Sequence, residues 1–471
     1  MLSIAFQTLG CKLNQCETDS MAAAFANAGF PIATCAEQAE LLVVNTCAVT
    51  SKAEQKGRRA IRAVLACNPR CAVLVTGCQA SADRSGLEAL EGRRGETGRR
   101  VFVVPQDGKG RIAELPHALL REGVYDQAAL RRALEHFCGA RGDDARGFWF
   151  DAGNAGLRSR YFLKIQDGCD NSCAYCLVSV VRGPARSLPV PEALERLRAA
   201  ESSGLAEAVL TGVNIGQWNE PPAGVSSGGG LPSLLRSLLA GTNRIGIRLS
   251  SLEPDVFTED FFDAVKNPRV RPHFHLSIQS GSHRILKRMG RQYEPEAVLR
   301  AVSRLRSLKT DPFIACDMIT GFPGETERDF LETLKFCQTA EFAQIHAFPF
   351  SRRRGTAAWD LTPRIPERLS GERVKILKNL ALSCRKKYIG LWIGREVGGV
   401  CLSGCAMTAQ TGMLEILSDN YLRLIGEIPR DSKVFVQKGQ PLRCKIREIP
   451  PESAWSANNA RFDAGCEILW G

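Results

Sequence analysis

Three cysteines lie close together near the middle of the chain, at Cys169, Cys173 and Cys176. Four thiolates would saturate a [4Fe–4S] cluster, whereas three leave one iron with an open position, as catalytic zinc sites also keep one. Zinc is the competing interpretation, but no histidine lies near this motif and its spacing is not that of paired Cys-x2-Cys ligands. The motif therefore predicts an iron–sulfur cluster that can bind a small molecule, with these three cysteines as catalytic ligands.

Three further cysteines each follow an apolar run that is typical of a buried strand. The runs and their cysteines are Ile4–Leu9 with Cys11, Leu41–Asn45 with Cys47, and Ala72–Thr76 with Cys78. In an open parallel sheet, ligands bind beyond the carboxyl ends of the strands, so these three thiols are expected to converge. Buried structural cysteines are the alternative. Their equivalent positions favour a second three-cysteine cluster.

The elements that position these cysteines follow two βα series. The first, from the N-terminus, alternates strands with helical stretches and predicts an open parallel α/β sheet. The second begins at Tyr161 and predicts a parallel partial (β/α)6 barrel with its active site at the carboxyl ends of the strands. Its predicted strands are Tyr161–Ile165, Ala208–Leu210, Ile245–Leu249, Phe274–Ile278, Phe313–Ile319 and Gln344–Phe348.

The rest of the chain gives weaker signals. Residues 105–157 show little periodicity, and Gly139–Gly147 is the predicted linker. Arg364–Lys387 is predicted to form a basic helix. Residues 389–450 carry short β-like runs separated by turn residues, which predicts a small OB-like β-barrel. The last twenty or so residues are expected to form a poorly ordered tail.

The apolar segments, the cysteine content and the net charge of the sequence indicate the cell compartment and the kind of partner. The N-terminus has no signal-peptide pattern and no apolar run is long enough to cross a membrane, which predicts a cytoplasmic protein. Disulfides are rare there, so the 18 cysteines indicate metal binding or catalysis. The formal charge of +12 is compatible with a polyanionic partner or with an ordinary basic enzyme.

Longer stretches of the sequence resemble one family, the radical S-adenosylmethionine (SAM) methylthiotransferases. The stretches are TLGCKLNQCETDS from Thr8, VVNTCAVT from Val43, GCDNSCAYC from Gly168, RGPARS from Arg182, TGVNIGQW from Thr211, RLSSLEP from Arg248, LSIQSGSHRILKRMGRQY from Leu276, DMITGFPGETERDF from Asp317 and HAFPFSRRRGT from His346. The resemblance implies an N-terminal auxiliary-cluster domain at 1–140, a radical SAM domain at 155–387 and a TRAM RNA-binding domain at 389–450.

The resemblance also implies two [4Fe–4S] clusters. Cys11, Cys47 and Cys78 would hold the auxiliary cluster, and the three central cysteines would hold the cluster that binds SAM. One SAM would donate a methyl group, and a second would be cleaved to an adenosyl radical that drives replacement of an adenine hydrogen by a methylthio group. Methionine, 5′-deoxyadenosine and S-adenosylhomocysteine would be released, and a flavodoxin or ferredoxin would supply the electron.

Polar residues after the barrel strands are the predicted SAM contacts. They are Thr211, Gly212, Asn214, Ser250, Glu253 and Gln279. Arg182 is a further candidate because arginine pairs bidentately with carboxylates such as that of SAM.

Two segments resemble the branch of the family that acts on N6-threonylcarbamoyladenosine at position 37 of tRNA. They are the opening Leu9–Gln15 and the stretch from His346 to Thr356. An anticodon-loop adenine needs a basic surface around it, which Arg352–Arg354, Arg373, Lys375, Lys378 and Arg385–Lys387 are predicted to supply. The alternative substrates are an isopentenyladenosine tRNA and a ribosomal protein. The alternative functions are those of a radical SAM methyltransferase and of a non-catalytic zinc protein that binds RNA.

Overall fold

The computed structural model describes residues 2–91, 99–124, 126–139, 158–219, 229–402, 412–428, 436–448 and 462–469. The chain divides into two compact units. Unit 1 comprises Met1–Ala155, Gln166–Arg186 and Ser351–Trp359, and unit 2 comprises Gly156–Ile165, Ser187–Phe350 and Asp360–Gly471. The predicted linker lies outside the described residues except for Gly139, and the predicted domain boundaries stay predictions. No helix within the described ranges is long and apolar enough to cross a membrane.

Unit 1 is built on a parallel sheet with strand order β1-β2-β3-β4. The strands are β1 (Ile4–Thr8), β2 (Leu41–Thr46), β3 (Ala72–Gly77) and β4 (Val101–Val103). The helices are α1 (Lys12–Asn27), α2 (Ser51–Cys67), α3 (Cys78–Ala82), α4 (Arg84–Glu88), α5 (Leu115–Arg121) and α6 (Gln127–Gly139). Every residue of β2 and β3 is buried, because helices cover both faces of the sheet. The predicted N-terminal α/β sheet is confirmed.

Helices α5 and α6 lie within residues 105–157, where the sequence shows little periodicity. Each buries a narrow stripe, made of Leu115, Pro116 and Leu119 in α5 and of Leu130, Ala133 and Leu134 in α6. Two leucines four residues apart in a short helix give a weak periodic pattern, which explains why these elements were not predicted.

The chain between the two βα series alternates between the units. Strand β5 (Tyr161–Lys164) belongs to unit 2, whereas β6 (Gln166–Asp167) and α7 (Val178–Arg182) belong to unit 1. The short strand β7 (Arg186–Ser187) and helix α8 (Val190–Ser202) follow. The loop with the central cysteines, between β6 and α7, is therefore part of the same compact unit as the N-terminal sheet.

Unit 2 contains the predicted partial barrel. Strands β5, β8 (Glu207–Thr211) and β9 (Gly246–Leu249) form one parallel sheet, and β10 (Ser251–Leu252), β11 (His273–Gln279), β12 (Phe313–Thr320) and β13 (Gln344–Pro349) form another. Only Ser250 separates β9 from β10, so these two segments together form one strand of the barrel. Counted in this way, the barrel has six parallel strands. The remaining helices of this part are α9 (Gly230–Ala240), α10 (Glu259–Val265), α11 (His283–Met289), α12 (Pro295–Leu308) and α13 (Glu327–Ala340).

The C-terminal part of unit 2 is a closed barrel that follows the long helix α14 (Glu367–Gly390). Its strands are β14 (Glu396–Cys401), β15 (Met413–Ser418), β16 (Arg423–Glu427), β17 (Pro441–Glu448) and β18 (Ala464–Leu469), in the order β14-β15-β16-β18-β17. The expectation of a poorly ordered tail is wrong for residues 462–469, and the rest of that segment lies outside the described residues. Strand β18 pairs with β16 and β17 and buries Ala464 and Ile468, so the barrel closes through this strand.

A buried ion-pair network ties this barrel to the parallel strands of unit 2. Arg248 donates from Nε and Nη2 to Glu207, at 2.7 and 2.6 Å, and from Nη1 to the backbone oxygen of Asp419 at 3.0 Å. Its guanidinium also lies over the ring of Tyr421. Burial alone would raise the pKa of the Glu207 carboxyl, but Arg248 outweighs this effect and lowers the pKa to about 2.

Glu207→Gln is expected to destabilise the protein by about 3–5 kcal/mol, because it leaves Arg248 buried without its counter-charge. Urea unfolding at neutral pH measures the change. Since the folded pKa lies below the ordinary value of 4.5, the network stabilises fully above about pH 4.5, and this contribution is lost as the pH falls toward about 2. Glu259→Gln, which breaks an exposed pair with Arg304, is the matched control. Equal stability of the two variants would contradict the prediction.

Candidate functional site

The N-terminal thiol set, defined as Cys11, Cys47 and Cys78, converges at the carboxyl edge of the unit 1 sheet. Cys11 precedes α1, Cys47 follows β2 and Cys78 begins α3. At Gly10, whose φ is +108°, an added Cβ would lie 2.6 Å from the Cβ and 2.9 Å from the Sγ of Cys47. The Cys47 thiol therefore packs directly against the turn that carries Cys11. Burial raises the pKa of Cys11 and of Cys47, and the nearby Cys78 thiol adds to this effect in both.

The central thiol set, defined as Cys169, Cys173 and Cys176, lies on a tightly turned loop of the same unit. Gly168 has a φ of +71°, and a Cβ there would approach the backbone oxygen of Pro184 to 1.8 Å, so only glycine fits before Cys169. The Cys176 amide donates to the Cys173 carbonyl at 3.0 Å. The Val178 amide points at Cys176 Sγ, 3.4 Å away, and Cys169 and Cys173 are buried.

Arg182, at the end of α7, binds a cysteine of the N-terminal thiol set. Its Nε donates to Cys78 Sγ at 3.4 Å. Nη1 donates to Glu17 at 3.0 Å and to Asp167 at 2.8 Å, and Nη2 donates to Asn14 at 2.9 Å and to Glu17 at 3.2 Å. These contacts account for the five N–H donors of a guanidinium. They place Arg182 at the N-terminal thiol set, while its predicted contact with SAM stays a prediction that these hydrogen bonds do not favour.

Two charged residues of this site were not identified in the sequence. Glu17 and Lys109 are fully buried and form an ion pair, and Glu17 also binds Arg182. Burial lowers the pKa of the Lys109 ammonium, while Glu17 acts in the opposite direction. Glu17 lies within the family-like stretch that starts at Thr8, and this resemblance is what in the sequence points to a role for Glu17. Nothing in the sequence around Lys109 indicated its role.

The chemistry of the thiol sets fits iron–sulfur clusters. Burial raises the pKa of Cys47 to about 12, and coordination to a metal would deprotonate such a thiol. Arg182 supplies a hydrogen bond to sulfur of the kind that tunes such clusters. Among the described residues, no three Cys, His, Asp or Glu side chains are grouped so as to hold a single metal ion. In a [4Fe–4S] cluster each thiolate binds a different iron, so neither set needs to converge on one point.

The predicted SAM contacts lie at the carboxyl ends of the unit 2 strands, and each of them stays a prediction. Thr211 ends β8 and is buried, and Ser250, between β9 and β10, has a buried hydroxyl that finds no hydrogen-bond partner among the described residues. Gln279 ends β11 with a φ of +74°, a conformation that concentrates at functional sites in residues other than glycine. Glu253 forms an ion pair with Arg291 at 2.6 Å.

The two remaining predicted SAM contacts lie directly after β8. Gly212 follows Thr211, and Asn214 is buried with its Oδ1 accepting from the Gly216 amide at 3.2 Å. The unpartnered hydroxyl of Ser250 and the buried polar groups beside it are the kind of partners that the amino, carboxylate and ribose groups of SAM require.

Comparison with known proteins identifies related domains and folds. Residues 163–337 match the radical SAM superfamily, and residues 3–94 match the uncharacterized protein family UPF0004. The solved structure of the radical S-adenosylmethionine methyltransferase TsrM from Kitasatospora setae has a TM-score of 0.53 at 14% identity, covering 76% of this chain and 75% of that chain. This likeness concerns the fold.

Closer relatives cover nearly the whole chain. The threonylcarbamoyladenosine tRNA methylthiotransferase MtaB of Treponema pallidum is 37% identical and covers 90% of this chain and 94% of that protein. MtaB of Bacillus subtilis is 30% identical over 90% of each chain. The tRNA-2-methylthio-N(6)-dimethylallyladenosine synthase of Cereibacter sphaeroides is 30% identical over 83% of this chain and 85% of that protein. The chain therefore belongs to the radical SAM methylthiotransferase family.

Proposed function

We propose that this enzyme converts N6-threonylcarbamoyladenosine at position 37 of tRNA to its 2-methylthio derivative. The observation that carries the proposal is the packing of two thiol sets in one compact unit, with Arg182 hydrogen-bonded to a cysteine of the N-terminal set. A radical SAM enzyme without sulfur transfer needs only one such set. The 37% identity to the Treponema pallidum threonylcarbamoyladenosine enzyme supports the choice of nucleoside.

Membership in the radical SAM superfamily implies one [4Fe–4S] cluster and SAM. We assign that cluster to the central thiol set and a second, auxiliary cluster to the N-terminal thiol set. When bound and reduced, a cluster held by Cys169, Cys173 and Cys176 would supply the electron that cleaves SAM. The protein positions the thiols through Gly10 and Gly168, buries four of the six (Cys47, Cys78, Cys169 and Cys173), and provides the Arg182 hydrogen bond.

Consumption of two SAM per modified base is part of this proposal. One SAM yields S-adenosylhomocysteine after methyl transfer, and the other yields methionine and 5′-deoxyadenosine. A flavodoxin- or ferredoxin-type protein is the proposed electron donor. We place the enzyme in the cytoplasm, where its tRNA and reduced thiols are found.

The proposed tRNA surface is smaller than the sequence predicted. Arg373 is buried and pairs with Glu325 at 2.6 Å, and Arg385 pairs with Asp463 at 2.6 Å. Both were predicted to hold phosphates, and both are instead engaged in ion pairs of unit 2. Lys387 is exposed but pairs with Glu341. Lys375 and Lys378 remain exposed along α14 and are the proposed phosphate contacts.

The test uses the anaerobic holoenzyme with SAM, a reductant and tRNA that carries N6-threonylcarbamoyladenosine. Nucleoside mass spectrometry is expected to show the 2-methylthio derivative, together with S-adenosylhomocysteine and 5′-deoxyadenosine in comparable amounts. The matched control is the same tRNA with isopentenyladenosine, the nucleoside class of the Cereibacter sphaeroides relative. Modification of the control tRNA alone would contradict the proposed substrate. S-adenosylhomocysteine or 5′-deoxyadenosine without a methylthiolated base would contradict the reaction.

A further inference from the structure

The segment Ser351–Trp359 belongs to unit 1 and packs beside both thiol sets. The Ala358 amide donates to the carbonyl of Ala174, which lies between two cysteines of the central set, at 2.6 Å. A Cβ at Gly355 would lie 3.7 Å from Leu177, and Leu177 packs against Cys78. A side chain that projects from this segment is therefore near the sulfur chemistry proposed above.

Three consecutive arginines occupy this segment, and they differ in their contacts. Arg353 is buried and forms an ion pair with Glu54 and a hydrogen bond with Ser51. Arg352 donates from Nε to the backbone oxygen of Trp359 at 2.6 Å and stacks on its ring at 3.6 Å. These two side chains hold the segment in place.

Arg354 is exposed and has no carboxylate partner among the described residues. Its guanidinium carbon lies 5.7 Å from the centre of the Trp359 ring, on a segment fixed by its neighbours. An arginine positioned this way presents its planar fork to a ligand without first breaking an ion pair. The ligand that suits it is a carboxylate or a phosphate.

We propose that Arg354 binds the carboxylate of the threonyl group on the target adenine and determines which modified adenine is accepted. The inference rests on the proposed function. The threonine of threonylcarbamoyladenosine keeps its α-carboxyl group, which is ionised at neutral pH, whereas an isopentenyl group carries no charge. A site that pairs with a substrate charge rejects an analogue lacking it more strongly than an apolar pocket rejects a small change of shape.

The experiment compares Arg354→Gln with the wild-type holoenzyme on two anticodon stem-loop RNAs. One carries threonylcarbamoyladenosine and the other carries its carboxyl methyl ester. Wild-type kcat/KM is expected to fall about 10- to 100-fold from the acid to the ester, which is the effect of losing one charge-assisted hydrogen-bonded pair. Arg354→Gln is expected to show the same loss on the acid and no further loss on the ester. Arg354→Lys should recover part of the activity on the acid.

Arg328→Gln removes another exposed arginine charge, which lies on α13 and pairs with Glu332, and is the control, with unchanged kcat/KM on both RNAs. Equal losses of Arg354→Gln on acid and ester would overturn the proposal and indicate a phosphate contact. Full activity of Arg354→Gln on the acid would also overturn it. A wild-type enzyme that ignores the acid RNA and modifies an isopentenyladenosine RNA would refute the proposed function as well, so the two failures are distinguishable.

Discussion

Replacing Cys11, Cys47 and Cys78 together by alanine is expected to abolish methylthiolation and to leave reductive SAM cleavage in place. The N-terminal set lies at the sheet edge of unit 1, and its members do not belong to the loop of Cys169–Cys176. Iron should fall from about eight to about four atoms per chain, since each [4Fe–4S] cluster holds four. Iron analysis, 5′-deoxyadenosine release and nucleoside mass spectrometry measure the three outcomes.

The reciprocal variant, with Cys169, Cys173 and Cys176 replaced, is expected to lose both 5′-deoxyadenosine and the methylthiolated base. Cys67→Ala is a suitable control because Cys67 is an exposed thiol of the same unit outside both sets. If the N-terminal triple variant kept the iron content of the wild type, the auxiliary cluster would be refuted. Circular dichroism of all three proteins establishes whether unit 1 is folded, so a loss of iron through unfolding is recognised.

The positions of the cysteines could be predicted because the signals for them are local. Apolar runs mark β1, β2 and β3, and a parallel sheet brings the residues after them to one edge, as observed for Cys11, Cys47 and Cys78. The central set is recognisable from its own spacing. Apolar runs also predicted the six barrel strands of unit 2 to within a few residues of their observed bounds.

The side chains that support the cysteines could not be predicted, because their partners are far away in sequence. Arg182 binds Glu17 across 165 positions, and Lys109 reaches Glu17 across 92. A buried Lys or Arg has no periodic signature of its own, and its role depends on a counter-charge that only the fold supplies. The same limit applies to Arg373. The sequence predicts that it belongs to a basic surface, whereas in the structure it pairs with Glu325 inside unit 2.

Buried charge also explains why Arg182 matters beyond stability. Arg182 and Lys109 carry two positive charges, and Glu17 and Asp167 carry two negative ones. The charges of these four side chains cancel one another. A reduced cluster bound by the thiolates would then add negative charge beside Cys78. The Nε–H bond to Cys78 Sγ is the contact in this group that acts on a thiol directly. Loss of the guanidinium should therefore disfavour the reduced state of the auxiliary cluster.

Arg182→Gln is expected to shift the reduction potential of the auxiliary cluster negatively by about 60 mV or more, the one-electron equivalent of a tenfold change. Spectroscopic redox titration of the holoenzyme measures it. The free energy of unfolding should also fall by about 3–5 kcal/mol, because Glu17 and Asp167 lose a buried counter-charge. Arg182→Lys keeps the charge but lacks the planar fork, so we expect intermediate values for both quantities.

A double variant separates the two effects. Adding Asp167→Asn to Arg182→Gln removes a buried charge of each sign and keeps the Glu17–Lys109 ion pair, so stability should partly recover while the potential stays low, since the hydrogen bond to Cys78 is still missing. Arg58→Gln is the control for the loss of one positive charge. Arg58 is a half-exposed residue of the same unit that pairs with Asp83. A potential that recovers with stability, or never moves, would mean that Arg182 only holds α7 and α1 together. A potential that stays low in a restabilised protein would identify Arg182 as a positioning residue for the cluster.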